Sequence, residues 1–339
     1  MAIDRVQVAR CLQGLGVLGL LERVAVRRGL LVVNYHRIGR LENHNLDDGV
    51  VSASPEEFDA QVGYLRRCFR LINAEELHDY SLNGFKFTDR CAMITFDDGY
   101  RDNYTSAFPI LKNHGVSALF FVATDYIENP RLPWWDHISY VIKRTQCSVI
   151  SLKTSTTLRV DLAQIGREEG INQVLRAFKS VNKANETDFL SELEESARVH
   201  VDRLAMGAGI FMTWSHLCNM MNEGMSVGSH AHTHTILAQL SEAEQRRELA
   251  LSREMLEGHL KHPIRSVSYP VGGRTRFTET TKKLCQELGY KMGFAFYGGI
   301  NRPGQTDSFE IKRMGVDITD ASCLLRARIV LTSVVGRSI

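Results

Sequence analysis

The segment Ala92-Met-Ile-Thr-Phe-Asp-Asp-Gly-Tyr100 joins a strand pattern to two adjacent carboxylates. Its apolar residues run up to Phe96 and predict a buried strand, and Gly99 then closes a turn behind Asp97 and Asp98. Each ionised carboxylate raises the pKa of the other, and burial disfavours both charged forms, so a bound cation would stabilise the pair. A carboxylate that is not a metal ligand is then available as a general base. The alternative is an Asp-Asp-Gly turn on the surface, because Asp and Gly are ordinary turn residues.

The composition is that of a globular protein with a substantial core. Of the 339 residues, 44% are hydrophobic and 24% are charged, and an α/β barrel of this length commonly forms one domain. The net charge of +2 lacks the strong basic excess of a nucleic-acid-binding protein. We therefore expect no nucleic-acid partner.

The cysteine content indicates free thiols in a reducing compartment. The cysteines are odd in number, irregularly spaced and without a C-x-x-C pair, so they predict neither a disulfide framework nor a cysteine-based zinc site. They stand at positions 11, 68, 91, 147, 218, 285 and 323.

The first 28 residues predict an amphipathic helix. The uncharged run from Cys11 to Leu21 covers 11 residues, whereas a transmembrane helix needs about 20, and no convincing signal-peptide cleavage site follows it. We expect this helix to pack on the core. Contact of residues 5–28 with an anionic membrane surface is the alternative, because arginines flank the apolar positions. The predicted location is the cytoplasm, in solution or peripheral at the inner membrane.

Strand and helix patterns alternate on both sides of a less regular segment. Apolar runs such as 92–96 and 118–123 predict buried strands, and their spacing around a helix predicts a parallel βαβ unit. The segment 130–208 is mainly helical and charged and lacks a sizeable apolar core of its own. We therefore predict an α/β barrel formed by 29–129 and 209–339 and interrupted by an insertion at 130–208.

Titratable side chains follow several of the predicted strands. His36, Asp97 and Asp98 come directly after apolar runs, and a later strand ends in His230-Ala-His-Thr-His234. The carboxyl ends of barrel strands lie on one face, which carries the chemistry in barrel enzymes. Imidazoles and carboxylates suit zinc, and three protein ligands with an open position are typical of a catalytic site. The sequence predicts a metal site, and spacing alone leaves open which of the three histidines bind.

Four of these segments resemble the motifs of a known family. Thr95-Phe-Asp-Asp-Gly99 and Gly228-Ser-His-Ala-His-Thr-His234 are similar to the first two motifs of the polysaccharide deacetylases with a NodB homology domain, carbohydrate esterase family 4. Ser268-Tyr-Pro-Val-Gly272 looks like the third motif. Leu31-Val-Val-Asn-Tyr-His36 resembles the opening strand of a subgroup that carries its histidine motif at the front of the chain.

The resemblance covers roughly 30–128 and 210–317 and implies a fold and an activity. It implies a distorted (β/α) barrel of the NodB type, with an N-terminal helix and a mainly helical insertion. It also implies a metal-dependent hydrolase that removes N-acetyl groups from amino-sugar residues of a bacterial polysaccharide or oligosaccharide, such as an exopolysaccharide. The implied cofactor is a divalent metal, Zn²⁺ first, with Co²⁺ and Mn²⁺ as alternatives.

A role for each matched residue is also implied by the resemblance. The metal ligands that it implies are Asp98, His230 and His234. Asp97 would be the general base and His36 the general acid, and the backbone N–H near Val271 would help to form the oxyanion hole.

The chain departs from the family pattern at several positions. Ala231 replaces the usual Ser or Thr, and His232 is an extra imidazole that would compete as a metal ligand or contact the substrate. Ser268 stands where the third motif often begins with an Arg that orients the base. Arg265 and Arg313 are the two candidates to replace that Arg.

Two other functions are compatible with the same residues. One is hydrolysis of a small non-sugar amide at the same metal site. The other is non-catalytic polysaccharide binding, against which the retention of Asp97 argues, since a metal site does not need it. Trp134 and Trp135 would either stack on sugar rings or anchor the insertion by packing.

Overall fold

The computed structural model describes residues 28–41, 46–153, 157–319 and 322–335. They form two compact units, one made of the described residues in 28–40, 49–128 and 212–335, the other of those in 41–48 and 129–211. The second unit includes the predicted insertion at 130–208 and also takes in the segment 41–48. The predicted amphipathic helix over 1–28 lies outside the described residues, except for Arg28.

The described elements are numbered in chain order. The strands are β1 (Gly29–Tyr35), β2 (Arg37–Ile38), β3 (Val51–Ala53), β4 (Arg70–Leu71), β5 (Arg90–Phe96), β6 (Leu119–Val122), β7 (Val149–Leu152), β8 (Leu158–Asp161), β9 (Ser226–Ser229), β10 (Ser266–Ser268), β11 (Met292–Ala295), β12 (Ile311–Lys312) and β13 (Met314–Gly315). The helices are α1 (Pro55–Cys68), α2 (Ala74–Leu82), α3 (Phe108–His114), α4 (Thr124–Glu128), α5 (Trp134–Arg144), α6 (Leu162–Phe178), α7 (Glu186–Ala197), α8 (Arg203–Gly207), α9 (Trp214–Asn222), α10 (Glu242–Leu260), α11 (Glu279–Glu287) and α12 (Ser322–Val335). None of these described helices is both long and apolar enough to cross a bilayer.

The first unit is a nearly closed parallel sheet surrounded by helices. Its strands pair in the order β12-β11-β10-β9-β6-β5-β1-β13, with β4 beside β5, and every pair is parallel. Only Arg313 separates β12 from β13, so one short run of chain pairs with β11 on one side and with β1 on the other. The two ends of the sheet therefore meet at this run, and the predicted α/β barrel is confirmed as a nearly closed sheet.

The last strand of the barrel differs from the sequence prediction. The pattern predicts one strand over Glu310–Gly315, but the structure has two short strands interrupted at Arg313. The carbonyl of Arg313 accepts a hydrogen bond from the backbone N–H of Gly298 at 2.8 Å, outside the strand ladder. The Arg313 side chain is fully buried.

The side chains that alternate toward the barrel interior change from apolar to polar along the strands. In β1, Leu30 and Val32 belong to the apolar core, and Asn34 follows two residues later. In β5, Met93 belongs to the same core and is followed two residues later by the buried Thr95. The polar layer therefore lies at the carboxyl ends of the strands, where the predicted site residues begin.

The second unit contains α5 to α8 and the antiparallel pair β7 and β8. Its two adjacent tryptophans pack within this unit. The ring of Trp134 stacks on Phe178 with centroids 4.6 Å apart, and Trp135 is only 4% exposed. The Asp136 carboxylate accepts the backbone N–H of Asp47 at 2.8 Å, which ties the segment 41–48 to α5.

Candidate metal and catalytic site

In the loops that follow the barrel strands, several residues other than glycine adopt the left-handed backbone conformation. Seven described residues other than glycine have positive φ. Three of them are predicted site residues, Asp98 (72°), His234 (59°) and Val271 (62°), and a fourth, Ala231 (58°), follows His230 directly. Such conformations cost about 1–3 kcal/mol each and cluster at functional sites. The strain is therefore concentrated where the sequence predicts chemistry.

Asp98, His230 and His234 form a group that can hold a metal ion, with their ligand atoms all within 4.8 Å of one another. Oδ1 of Asp98 lies 3.5 Å from Nε2 of His230 and 3.3 Å from Nε2 of His234, and all three side chains are buried. In the described part of the chain, no hydrogen bond satisfies Oδ1 of Asp98. A buried carboxylate oxygen facing two imidazole nitrogens fits a divalent cation such as Zn²⁺.

The orientation of His230 is fixed by a backbone contact. Its Nδ1 lies 2.8 Å from the carbonyl oxygen of Ser268, and because a carbonyl only accepts, Nδ1 carries the hydrogen and Nε2 the lone pair. Burial lowers the pKa of His230 to about 4, so the ring is neutral at pH 7. A neutral imidazole whose other nitrogen donates to a carbonyl is the arrangement that metal-ligating histidines use.

The loop between the two histidines is held by Glu248 of α10. Oε2 of Glu248 accepts the backbone N–H groups of His232 at 3.1 Å and Thr233 at 2.8 Å, and Oε1 accepts the Thr233 hydroxyl at 2.8 Å. Nδ1 of His232 lies 2.9 Å from the Thr124 hydroxyl, so this ring is hydrogen-bonded beside α4 and lies outside the group of three ligands. Sequence reasoning missed Glu248, because it belongs to no motif.

Asp97 is bound by Arg313 and Asn34. Nη1 and Nη2 of Arg313 donate to Oδ1 and Oδ2 of Asp97 at 2.7 and 2.9 Å, and Nδ2 of Asn34 donates to Oδ2 at 3.2 Å. Burial raises the pKa of the Asp97 carboxyl, but the charge and the hydrogen bonds of Arg313 have the larger effect and hold it well below its ordinary value. The carboxylate is therefore ionised at neutral pH.

Arg265 and Arg313 were the two candidates to replace the third-motif Arg, and the structure places Arg313 against Asp97. The other, Arg265, precedes β10 and pairs with Glu75 at 3.0 Å. Its position before the strand puts it at the opposite end of the barrel from Asp97. Ser268, which stands in the place of the family's Arg, contributes its hydroxyl as an acceptor for Nη2 of Arg313 at 2.7 Å.

His36 lies at the carboxyl end of β1, and hydrogen bonds to side chains fix both its backbone N–H and its carbonyl. Its N–H donates to the Ser52 hydroxyl at 2.9 Å, and its carbonyl accepts Nδ2 of Asn103 at 2.6 Å. The ring packs edge-on against Phe296 with centroids 5.7 Å apart. Burial raises the pKa of the Asp98 carboxyl, but the neighbouring imidazoles, His234 first and then His36, lower it below its ordinary value.

Val271 occupies a backbone conformation that β-branched residues rarely adopt. The next residue, Gly272, accepts the N–H of Phe296 at 2.7 Å, and a Cβ at Gly272 would lie only 2.6 Å from Cβ of Phe296. This close approach sets the path of the loop. Within the described residues, the Val271 N–H makes no hydrogen bond, so it is available as a donor.

The family model described as Polysaccharide deacetylase matches residues 85–293 of this chain. The Bacillus subtilis protein YxkH is 22% identical over 252 residues, which cover 74% of this chain and 61% of YxkH. The poly-β-1,6-N-acetyl-D-glucosamine N-deacetylase of Staphylococcus epidermidis is 30% identical over 111 residues, which cover 30% of this chain and 38% of the relative. The matched part of the chain thus spans less than two thirds of either relative.

Solved structures share the barrel. The deacetylase PplD of Streptococcus pyogenes, in complex with acetate, superposes with a TM-score of 0.57 at 19% identity, over 88% of this chain and 96% of PplD. IcaB of Ammonifex degensii gives a TM-score of 0.56 at 20% identity, over 88% and 96% of the two chains. At these identities the likeness concerns the fold. Since the family model covers more than half of its residues, this chain belongs to the polysaccharide deacetylase family.

Proposed function

We propose that this chain is a metal-dependent hydrolase that removes N-acetyl groups from amino-sugar residues of a polysaccharide or oligosaccharide. Family membership supports the reaction class. The staphylococcal relative is named for a polymer of N-acetyl-D-glucosamine, which supports an amino-sugar substrate. For residues 5–28 the prediction remains a helix that packs on the core, with peripheral membrane contact as its alternative.

The observation that carries the proposal is the second carboxylate beside the metal group. Asp98 suffices as the acidic ligand, yet Asp97 is buried next to it and kept ionised by Arg313. Oδ2 of Asp97 lies 3.9 Å from Nε2 of His230, so the carboxylate faces the ligand group. A metal site needs no such group, whereas hydrolysis needs a base within reach of the attacking water.

The proposed mechanism gives each residue one task. When bound by Asp98, His230 and His234, a divalent ion such as Zn²⁺ supplies Lewis acidity to the acetyl carbonyl and the attacking water. Asp97 accepts the proton of the water as it attacks. The Val271 N–H donates to the oxyanion that develops on the carbonyl oxygen, and such a donor contributes about 3 kcal/mol.

His36 completes the proposed reaction as the general acid. An amine is too basic to leave as an anion, so the nitrogen of the amide must be protonated as the C–N bond breaks. His36 lies at a strand end near both carboxylates, and its backbone is fixed by Ser52 and Asn103. Asp97 receives one proton and His36 delivers one, so the two residues balance the reaction.

The experiment measures acetate release from N-acetylglucosamine oligomers and from a partly acetylated polymer. Purified protein is assayed as isolated, after chelation, and after restoration of Zn²⁺, Co²⁺ or Mn²⁺. We expect release that is lost on chelation and returns with metal. Absence of release from both substrates, with one equivalent of metal bound, would contradict the proposal and favour hydrolysis of a small amide or non-catalytic binding.

A further inference from the structure

Asn34 is a polar residue inside an otherwise apolar strand. All seven residues of β1 are buried, and Asn34 is 0% exposed. A buried amide is unfavourable unless its donors and acceptor are hydrogen-bonded. Asn34 pairs in register with Thr95 of β5 and with Gly315 of β13, so it lies in the strand next to the closure of the barrel at Arg313.

The amide of Asn34 joins three buried groups of the site. Its Oδ1 accepts from Nη1 of Arg313 at 2.6 Å and from the Thr95 hydroxyl at 2.7 Å, and its Nδ2 donates to Oδ2 of Asp97 at 3.2 Å. A guanidinium only donates and an ionised carboxylate only accepts, so these partners fix which end of the amide is oxygen. Asn34 therefore contacts both members of the Asp97–Arg313 ion pair: its oxygen accepts from the guanidinium, and its nitrogen donates to the carboxylate.

The hydrogen bonds of Arg313 indicate what Asn34 contributes. All five N–H groups of this guanidinium have an acceptor: Ala295 O for Nε, Asn34 Oδ1 and Asp97 Oδ1 for Nη1, Asp97 Oδ2 and Ser268 Oγ for Nη2. Removing the Asn34 oxygen leaves one buried N–H unsatisfied, and a buried unsatisfied donor is costly. The guanidinium would then move toward another acceptor, and the carboxylate it binds would move with it.

We propose that Asn34 is a positioning residue for the base, holding Arg313 and Asp97 in one relative geometry. The proposal rests on the proposed deacetylation, in which Asp97 takes the proton of the attacking water. Asn34 does not reach the reacting atoms itself. It acts through Asp97, where an error of about 1 Å in placement costs about 10²-fold in rate.

Two substitutions distinguish the role of the Asn34 amide oxygen from that of its amide nitrogen. Asn34→Leu has a similar shape but removes both the acceptor for Arg313 and the donor to Asp97. Asn34→Asp keeps an acceptor for Arg313 and Thr95 but removes the donor to Asp97. The matched control is Gln61→Leu, since Gln61 is another fully buried amide, which accepts the Tyr35 hydroxyl at 2.9 Å and lies on α1, outside the site.

Steady-state kinetics with the amino-sugar substrate, bound-metal content and thermal stability are measured for all three variants. In both Asn34 variants we expect kcat to fall about tenfold to 10²-fold, with KM within about threefold of the wild-type value and the metal content unchanged. Gln61→Leu is expected to lose stability and keep kcat. A kcat within about twofold of wild type in both Asn34 variants would overturn the proposal.

A crystal structure of Asn34→Leu gives a readout that does not need activity. We expect Arg313 to lose at least one of its two hydrogen bonds with Asp97. An Arg313–Asp97 pair that is unchanged in this variant would overturn the proposal, even if the wild-type protein released no acetate. Absence of acetate release by the wild type counts against the proposed function alone, so the two failures are distinguishable.

Discussion

Arg313 binds Asp97 through both nitrogens of its guanidinium fork, with Nη1–Oδ1 at 2.7 Å and Nη2–Oδ2 at 2.9 Å. The two residues are 216 positions apart in the chain, and Arg313 lies at the point where the barrel closes. The pair therefore forms only when the sheet is complete. This dependence couples the ionisation and placement of the proposed base to the closure of the fold.

Substituting Arg313 by lysine tests whether Asp97 needs the two parallel hydrogen bonds of the guanidinium. Arg313→Lys keeps a positive charge near Asp97 but cannot make two parallel hydrogen bonds. We expect kcat to fall by about 10²-fold because the carboxylate is no longer fixed, while the bound-metal content stays at the wild-type level. Arg265→Lys, in the exposed pair with Glu75, is the matched control and should keep kcat. Loss of metal together with activity in Arg313→Lys would instead indicate a role in assembling the metal group.

The adjacent carboxylates of the first motif should respond differently to the same substitution. Asp98→Asn removes the acidic ligand, so we expect loss of both metal and activity. Asp97→Asn leaves the three ligands intact but cannot accept a proton, so metal should remain bound while kcat falls by about 10² to 10⁴-fold. Metal analysis and acetate release on the same preparations check both expectations. Normal turnover by Asp97→Asn would show that another group is the base.

The sequence predicted the strand ends better than the contacts between them. Asp97, Asp98, His230 and His234 each follow a strand in a short local pattern, and parallel strands bring their carboxyl ends to one edge. The Arg313–Asp97 pair could not be chosen from sequence, because Arg265 and Arg313 both lie within strands that the sequence predicts. The direction of the strand decides between them: Arg265 precedes β10, whereas Arg313 lies at the closure of the barrel.

Two residues of the site were missed for different reasons. Asn34 could have been identified from the sequence, because it is a single amide at an inward position of an apolar strand. Burying an amide is unfavourable unless it is hydrogen-bonded, so such a residue is expected to have polar partners. No sequence pattern indicates Glu248, because its contacts with His232 and Thr233 depend on how α10 packs beside the loop. Asn34, His36 and Arg313 also lie outside the residues 85–293 that match the family model.

The proposed role of His36 predicts a dependence on the leaving group. His36→Gln should lower the rate of amide hydrolysis by about 10² to 10⁴-fold, because the departing amine requires a proton. Hydrolysis of 4-nitrophenyl acetate should fall much less, because nitrophenolate leaves as a stable anion. The ratio of the two rates is measured for wild type, for His36→Gln and for the control His262→Gln, a histidine exposed before β10. If His36→Gln lowered the two hydrolysis rates by the same factor, His36 would not be the general acid.

Glu248 should control metal affinity without being a ligand. Glu248→Ala removes three hydrogen bonds from the loop between His230 and His234, so the two imidazoles should be held less firmly. We expect metal affinity to fall about 10 to 100-fold, as for other residues that orient ligands. Competition with a chelator of known affinity measures the change. Glu254→Ala, exposed on the same helix, is the control, and equal affinities for the two variants would exclude the role.

His137 in the second unit predicts a loss of stability in acid. The side chain is 1% exposed, and burial, with a smaller effect of the Arg203 charge, lowers its pKa from 6.5 to about 4. Nε2 lies 3.1 Å from Oε1 of Glu194, a contact that favours the charged ring, but we expect burial to dominate at this exposure. The imidazole is therefore protonated in the unfolded chain and neutral in the folded one between these pH values.

Because the unfolded chain then binds more protons, the free energy of unfolding should fall as the pH drops from 6.5 toward 4. A single group of this kind contributes at most about 1.4 kcal/mol per pH unit. Urea unfolding at several pH values should show a smaller pH dependence in His137→Phe than in wild type, since phenylalanine fills a similar volume and does not titrate. His200→Phe, at a histidine whose side chain is 89% exposed, should keep the wild-type slope. An unchanged slope in His137→Phe would mean that this ring titrates normally, with the Glu194 contact offsetting the cost of burial.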